Sequence, residues 1–248
     1  ISYLTLILVV CFVSGERMAF ATYLMGLFLL LFFLDKERIS LILSIFIGLL
    51  SIIIILKFHP FYNDYKTLES TEYHQGLKVE KSFKCENDDK KICSKIVNLQ
   101  PSFYEVLQNF PTSAYGEIYI LGFQMFKDNP ITGIGLSNYK YLCEQNIKYK
   151  KMMVNYDCAS HPHNIYVQWL AEGGLIIFLL FILYLFSLCN LIIKNEGSKN
   201  LKIISIVILL ILFWPIMSTG SLIKNWYGVI NFFIIAVTMC MSRIKINS

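Results

Sequence analysis

The chain has 248 residues, of which 56% are hydrophobic and only 16% charged, and its formal net charge is +5. With a mean hydropathy of +0.56 it is too apolar for an ordinary water-soluble domain. Its basic residues are spread between apolar runs instead of being gathered on one polar face, which argues against a nucleic-acid-binding protein.

In chain order, six apolar runs stand out: residues 1–13, 18–34, 39–56, 175–193, 203–217 and 227–241. Runs near 17–20 residues match a hydrocarbon core roughly 30 Å thick, and in lipid they must be helices, because an open strand would leave backbone groups unpaired. The first run is short and opens at Ile1, so the sequence reads as a fragment lacking its N-terminal part. Trp214 and Pro215 are expected to end or kink the fifth run. The expected fold is all-α, a polytopic transmembrane helical bundle with a large, partly helical loop. Residues 1–56 would hold three transmembrane helices, the first truncated, and 57–160 the loop. Residues 161–248 would hold a helix start, three more transmembrane helices and a tail.

Lysine and arginine set the orientation. Lys36 and Arg38, then Lys194, Lys199 and Lys202, then Arg243 and Lys245 all fall on one side, whereas the opposite short loops hold only Arg17 and Lys224. The positive-inside rule puts the lysine-rich side in the cytoplasm and residues 57–160 outside.

That outer segment has two parts. Residues 57–99 are polar and read as an irregular excursion; 102–109 and 115–126 carry apolar residues at helical spacing, with Ile118, Leu121, Gly122 and Met125 on one stripe. Of seven cysteines, Cys11, Cys189 and Cys240 lie in apolar runs, and Cys85, Cys93, Cys143 and Cys158 all lie outside. An even number in an oxidising compartment suggests disulfides, and the pairing that closes the shortest loops is Cys85–Cys93 with Cys143–Cys158. No Cys-x-x-Cys pair favours zinc, and no metal is expected. Asp128-Asn129-Pro130 then opens a tight turn through Gly133 and Gly135 to Asn138. A Gly-x-Gly with no third glycine and no surrounding βαβ pattern is not a dinucleotide loop.

The densest polar stretch comes next, from Ser160 to Gly174. Ser160 or His161 suits a helix cap and Pro162 the first turn. Asn164, Gln168 and Glu172 are spaced to share a face, and the helix is expected to run without a break into 175–193. Glu172 then stands at the mouth of a membrane span, where a carboxylate is costly to place without a use. The plainer alternative is a polar helix entrance with Tyr166 and Trp169 as interfacial aromatics.

The string from His161-Pro162-His163-Asn164 to Glu172-Gly173-Gly174 resembles the signature of the O-antigen ligase and polymerase family of bacterial membrane proteins. The Pro130, Gly133, Gly135, Asn138 string, the Gly15-Glu16-Arg17 turn, and the stretch from Pro215 through Thr219-Gly220-Ser221 to Trp226 are similar to further family features, in the expected order. One departure is Tyr115, which stands where many members carry an arginine.

The resemblance implies a glycosyltransferase-type ligase, inverting, metal-independent and without a cofactor. It would sit in the bacterial inner membrane and move a glycan from a polyprenyl pyrophosphate carrier to a lipid-linked sugar acceptor of the lipid A–core kind. It implies His163 as the base that takes the acceptor hydroxyl's proton and Arg17 as the cation on the pyrophosphate. Asn164, Gln168, Glu172, Tyr115 and His161 would contact substrate; Lys127, Lys140 or Lys224 would assist in place of the missing arginine. The chemistry suits the residues: a neutral imidazole is a competent base near neutral pH, and a guanidinium forks onto phosphate oxygens. The alternatives are the related glycan polymerase, a polysaccharide or lipid transporter, and an inactive fragment. Against transport, the charged residues gather at the outer mouth and not at mid-membrane.

Overall fold

The structure, a computed structural model, describes residues 2–14, 17–58, 67–74, 77–82, 110–216 and 218–245, without the side chains of Arg17, Asn225 and the two strands. Helices dominate: α1 (Ser2–Val13), α2 (Arg17–Phe33), α3 (Arg38–Phe58), α4 (Ala114–Asp128), α5 (Tyr139–Gln145), α6 (Ile147–Lys150), α7 (Ile165–Lys194), α8 (Lys199–Leu212) and α9 (Asn225–Met241). Each apolar run lies within or largely coincides with a helix, because β-branched and leucine-rich segments without internal proline satisfy their own backbone only as helices in an apolar medium. The fifth helix of the expected set stops at Leu212, before Trp214-Pro215, as proline's missing N–H and steric demand require. Two helices, α3 and α7, are long and apolar enough to cross a membrane, and α1, α2 and α9 are shorter apolar helices.

The chain divides into two compact units. The first comprises residues 1–50, 122–139 and 161–248. There α8 packs against α2, α7 and α9, and α1 against α2. Leu27, Leu34, Leu41 and Ile45 form one buried cluster, with Leu4, Ile203 and Ile204 packed on it. Phe181, Leu188, Ile192, Leu209, Phe213 and Ile235 form another between α7, α8 and α9. Small polar groups tie the helices where they cross: Ser205 Oγ donates to the Thr238 carbonyl at 3.0 Å, Thr5 Oγ1 to the Ser44 carbonyl at 3.2 Å, and Tyr23 Oη to the Leu4 carbonyl at 3.2 Å. The remaining helix faces are apolar and exposed, as at Phe32, Phe46, Leu183, Phe186 and Phe233. That distribution fits a hydrocarbon surrounding and not water.

The second unit comprises residues 51–121 and 140–160. A disulfide joins Cys143 and Cys158, with Cα atoms 5.8 Å apart, and Cys85 and Cys93 lie outside the described residues. Glu117 is buried and accepts from the Val154 N–H at 3.0 Å, the Asn155 N–H at 3.2 Å and Asn155 Nδ2 at 2.6 Å, so a helix side chain fastens the loop after α6. The expectation of irregular chain over 57–99 needs correcting in part. Thr67–His74 and Leu77–Ser82 form an antiparallel pair, with Glu72 opposite Val79 and His74 opposite Leu77. In the second strand Lys78 and Glu80 alternate with Leu77 and Val79, a pattern of period two masked by the segment's overall polarity. The helix expected over 102–109 lies outside the described residues.

Candidate functional site

The polar stretch 160–174 folds differently from its sequence expectation at both ends. Helix α7 begins at Ile165, one residue after its cap Asn164, so neither Ser160 nor His161 caps it and Pro162 is not in its first turn. Asn164 Oδ1 accepts from the N–H groups of Tyr166 at 3.0 Å and Val167 at 3.1 Å, while its Nδ2 donates to the Pro215 carbonyl at 2.7 Å. Asparagine wins because its short amide reaches two orphan N–H groups and still has donors to spend. The residue before it, His163, has φ of 53°, a left-handed conformation unfavourable for a side chain with a Cβ.

At the other end α7 does not run unbroken. Gly174 has φ 64° and ψ −166°, which splits the helix in two. The break opens the two helical bonds that would join Leu175 N–H to the Ala171 carbonyl and Ile176 N–H to the Glu172 carbonyl. The loop Pro130–Gly135 supplies substitutes for all four groups. Ile134 N–H donates to the Ala171 carbonyl at 2.9 Å and Gly135 N–H to the Glu172 carbonyl at 2.9 Å; the Leu175 and Ile176 N–H groups donate to the Pro130 and Ile131 carbonyls at 2.8 and 3.3 Å. A broken helix is tolerated at membrane depth only when its freed groups are satisfied in this way. The approach needs glycine on both sides: a Cβ at Gly133 would lie 2.4 Å from the Glu172 carbonyl, and one at Gly174 2.4 Å from the Ile131 oxygen.

Between cap and break lies a buried polar row. Gln168 Nε2 donates to Glu172 Oε2 at 2.9 Å and to Ser221 Oγ at 2.8 Å. Glu172 Oε1 accepts from the Tyr139 N–H at 3.4 Å. Gln168 is 2% and Glu172 1% exposed, so both act through neighbours and not on solvent. Beside this row the loop after α8 is laced to the start of α7. Thr219 N–H donates to the His163 carbonyl at 2.8 Å, the Thr219 carbonyl faces His161 Nε2 at 3.2 Å, and Tyr166 Oη donates to the Phe213 carbonyl at 2.6 Å.

The two histidine rings lie 4.2 Å apart, centroid to centroid. Burial, and then the positive charge of Lys224, lowers the His163 pKa below its ordinary value. Burial likewise lowers His161 to about 4; His163 and Lys224 push the same way, and the Thr219 carbonyl opposes them. Both imidazoles are therefore neutral at pH 7, the form that accepts a proton. Between α7, α8 and α9 is a cavity of about 310 Å³ lined by Trp169, Phe181, Tyr184, Phe213, Leu222 and Phe232 among others. The Trp169 Nε1–H is buried with no hydrogen-bond partner among the described residues.

The sequence signature of the O-antigen ligase family matches residues 2–182 of this chain. The chain belongs to the O-antigen ligase family. No curated protein and no solved structure matches it. The match covers both glycine- and histidine-bearing strings, so the loop Pro130–Gly135 and the break at Gly174 that it bridges lie within the matched region. Membership of this family makes it a membrane protein of the glycan-transfer class, in keeping with the two helices long enough to span.

Of the residues singled out in the sequence, His161, His163, Asn164, Gln168 and Glu172 come together with the loop Pro215–Lys224. The amide of Asn164 is occupied by the cap and the Pro215 carbonyl. Arg17 begins α2, and its side chain lies outside the described residues. Tyr115 belongs to the second unit, where its ring lies 6.3 Å from that of Tyr119. Lys140 is 3.6 Å from Glu144 in an exposed pair. Among the three lysines named as helpers, the field of Lys224 reaches both histidines. The roles of Thr219 and Ser221 are missing from the sequence reading. The signal available for them was a small polar string, Thr219-Gly220-Ser221, next to a helix-ending proline.

Proposed function

We propose that this chain is a glycan transferase of the outer face of the bacterial inner membrane. It moves a polysaccharide from a polyprenyl pyrophosphate carrier to a lipid-linked sugar acceptor of the lipid A–core kind, in one inverting, metal-independent displacement. The observation that carries the reading is His163: a half-buried, neutral imidazole, held in a strained left-handed turn before the α7 cap, in a chain of the O-antigen ligase family. In the reaction the acceptor oxygen bonds to the anomeric carbon as the carbon–oxygen bond to the diphosphate breaks. The bonding pair leaves on the diphosphate oxygen and the hydroxyl proton passes to a ring nitrogen of His163. Single displacement inverts the anomeric centre. Arg17, at the head of α2, is assigned to the diphosphate; a guanidinium suits two phosphate oxygens at once. The apolar cavity lined by Trp169, Phe181 and Phe213 offers a lipid tail a place.

The six-helix polytopic arrangement, with 57–160 outside, is part of this proposal. It is supported by the gathering of the ends of α7 and α9 at the lysine-rich pole, where Ser198 N–H donates to the Ile244 carbonyl at 2.9 Å. Deleting the gene and examining the carrier lipid tests the reading. Finished polymer accumulating on the carrier, with bare acceptor, is expected. Single repeats on the carrier would assign the chain to polymerisation, and unchanged surface glycan would contradict glycan transfer altogether.

A further inference from the structure

The loop between α4 and α5 is uncharged from Asn129 to Tyr139, with Lys127 and Asp128 before it and Lys140 after it. Two large apolar side chains on this loop are open: Ile131 is 65% and Leu136 49% exposed. On a water-facing loop such residues carry no message singly. The level of this loop along α7 changes that. The Leu175 and Ile176 N–H groups donate to the Pro130 and Ile131 carbonyls at 2.8 and 3.3 Å, so the Ile131 backbone lies beside the first residues of α7 beyond its break at Gly174. Between Glu172 and Lys194, α7 carries no charge. A helix needs about 20 apolar residues to cross the hydrocarbon, and residues 173–193 supply hardly more. With α7 across the membrane, the hydrocarbon edge therefore falls within about a turn of Leu175, and Ile131 lies at that edge. Leu175 and Ile176 are exposed as well. An irregular loop is excluded from lipid when its backbone groups lack partners. Here Gly133 N–H donates to the Asn129 carbonyl at 3.0 Å, and the Ile134 and Gly135 N–H groups are taken by α7. The Ile134 carbonyl accepts from Asn138 Nδ2 at 3.1 Å and the Gly135 carbonyl from the Asn138 N–H at 3.3 Å. That pairing removes much of the cost of laying this loop against lipid.

We propose that the loop Pro130–Leu136 is a membrane anchor, with Ile131 and Leu136 seated among phospholipid acyl chains at the edge of the leaflet that α7 enters at Gly174. Phospholipid is the occupant because the open side of the loop adjoins Leu175 and Ile176 at the start of the uncharged span. The charged residues on either side, Lys127, Asp128 and Lys140, suit the headgroup layer. The bilayer then holds the loop onto the broken helix, since the same loop donates to the Ala171 and Glu172 carbonyls. The inference needs only that α7 cross the membrane and stands apart from the glycan-transfer reading.

Two measurements on the intact chain, in sealed vesicles of phosphatidylethanolamine and phosphatidylglycerol, test this. The first is the rate at which a water-soluble, membrane-impermeant maleimide labels single added thiols, mapped by peptide mass spectrometry so that the native cysteines do not interfere. Ile131→Cys and Leu136→Cys should react at least about tenfold more slowly than Lys127→Cys, because the reacting thiolate does not form in hydrocarbon. The second separates lipid from protein as the cover. Benzoylphenylalanine in place of Ile131 inserts on illumination into neighbouring C–H bonds, and it should capture phospholipid. Either loop thiol labelled as fast as Lys127→Cys would overturn the proposal by placing the loop in water. Slow labelling with crosslinks to protein alone, whether to another part of this chain or to a second copy, would overturn it too.

Discussion

The two poles of the helical unit are both stitched by polar contacts, and those contacts differ in kind. At the lysine-rich pole Asn195 Nδ2 meets Ser242 Oγ at 2.6 Å, Lys202 Nζ donates to the Ile193 and Asn195 carbonyls at 3.1 and 3.2 Å, and Lys245 pairs with Glu196 at 2.7 Å. The Lys245–Glu196 side chains are 65% and 83% exposed. Such contacts tie loose ends and are worth little each, because water competes for the same charges. At the histidine pole Gln168 and Glu172 are almost wholly buried and His163 holds a strained backbone. Burying polar groups and tolerating strain both cost stability. Their concentration at one pole fits the chemistry proposed there.

The sharpest way to break that contrast is at the split in α7. Gly174→Ala forces a Cβ into the Ile131 carbonyl at a positive φ, and Gly133→Val does the same against Glu172. Each should cost on the order of 3 kcal/mol and remove most folded protein, read as melting temperature and yield in detergent. Unchanged melting would mean that the loop Pro130–Gly135 and α7 are not clasped as described. Next in size is Gln168→Leu, which removes the donor that Glu172 Oε2 and Ser221 Oγ share. It should cost about 1–3 kcal/mol and depress transfer further by releasing the Thr219 loop from the histidines. Stability lost with no change in turnover per folded molecule would make the row structural only. The smallest effect belongs to the other pole. Lys245→Ala should shift stability by about 0–1 kcal/mol and leave transfer untouched; a large loss of activity there would erase the distinction between the poles.

Most of the helical framework was legible in the sequence because apolar runs in this chain have one physical option, the helix, and their ends coincide with charges, glycine or Pro215. What was not legible depends on partners far along the chain. Nothing local to Glu172-Gly173-Gly174 distinguishes a continuous helix from a split one. The split exists because residues 130–135 arrive with two N–H groups and two carbonyls to complete it. The cap at Asn164 was misplaced for a related reason: Ser160, His161 and Asn164 are all competent by type. The Pro215 carbonyl and the tether of Thr219 to His163 fix the chain so that Asn164 is the residue in place. Residue types and their spacing announced His161 and His163 but could not announce Thr219 and Ser221 as their neighbours, since that proximity is made by the fold of the loop after α8.

The central claim, that neutral His163 takes the acceptor's proton, is tested most directly by the pH dependence of transfer in the intact protein, compared with His163→Ala at equal protein level. Burial and Lys224 hold the His163 pKa below its usual 6.5, and the base works only when neutral. Wild-type transfer should therefore fall with acid along a limb below pH 6.5 and be flat at neutral pH. His163→Ala should lower the plateau by about 10²–10⁴-fold and abolish that limb. A His163→Ala protein that transfers glycan at the wild-type rate along the same acid limb would contradict the account.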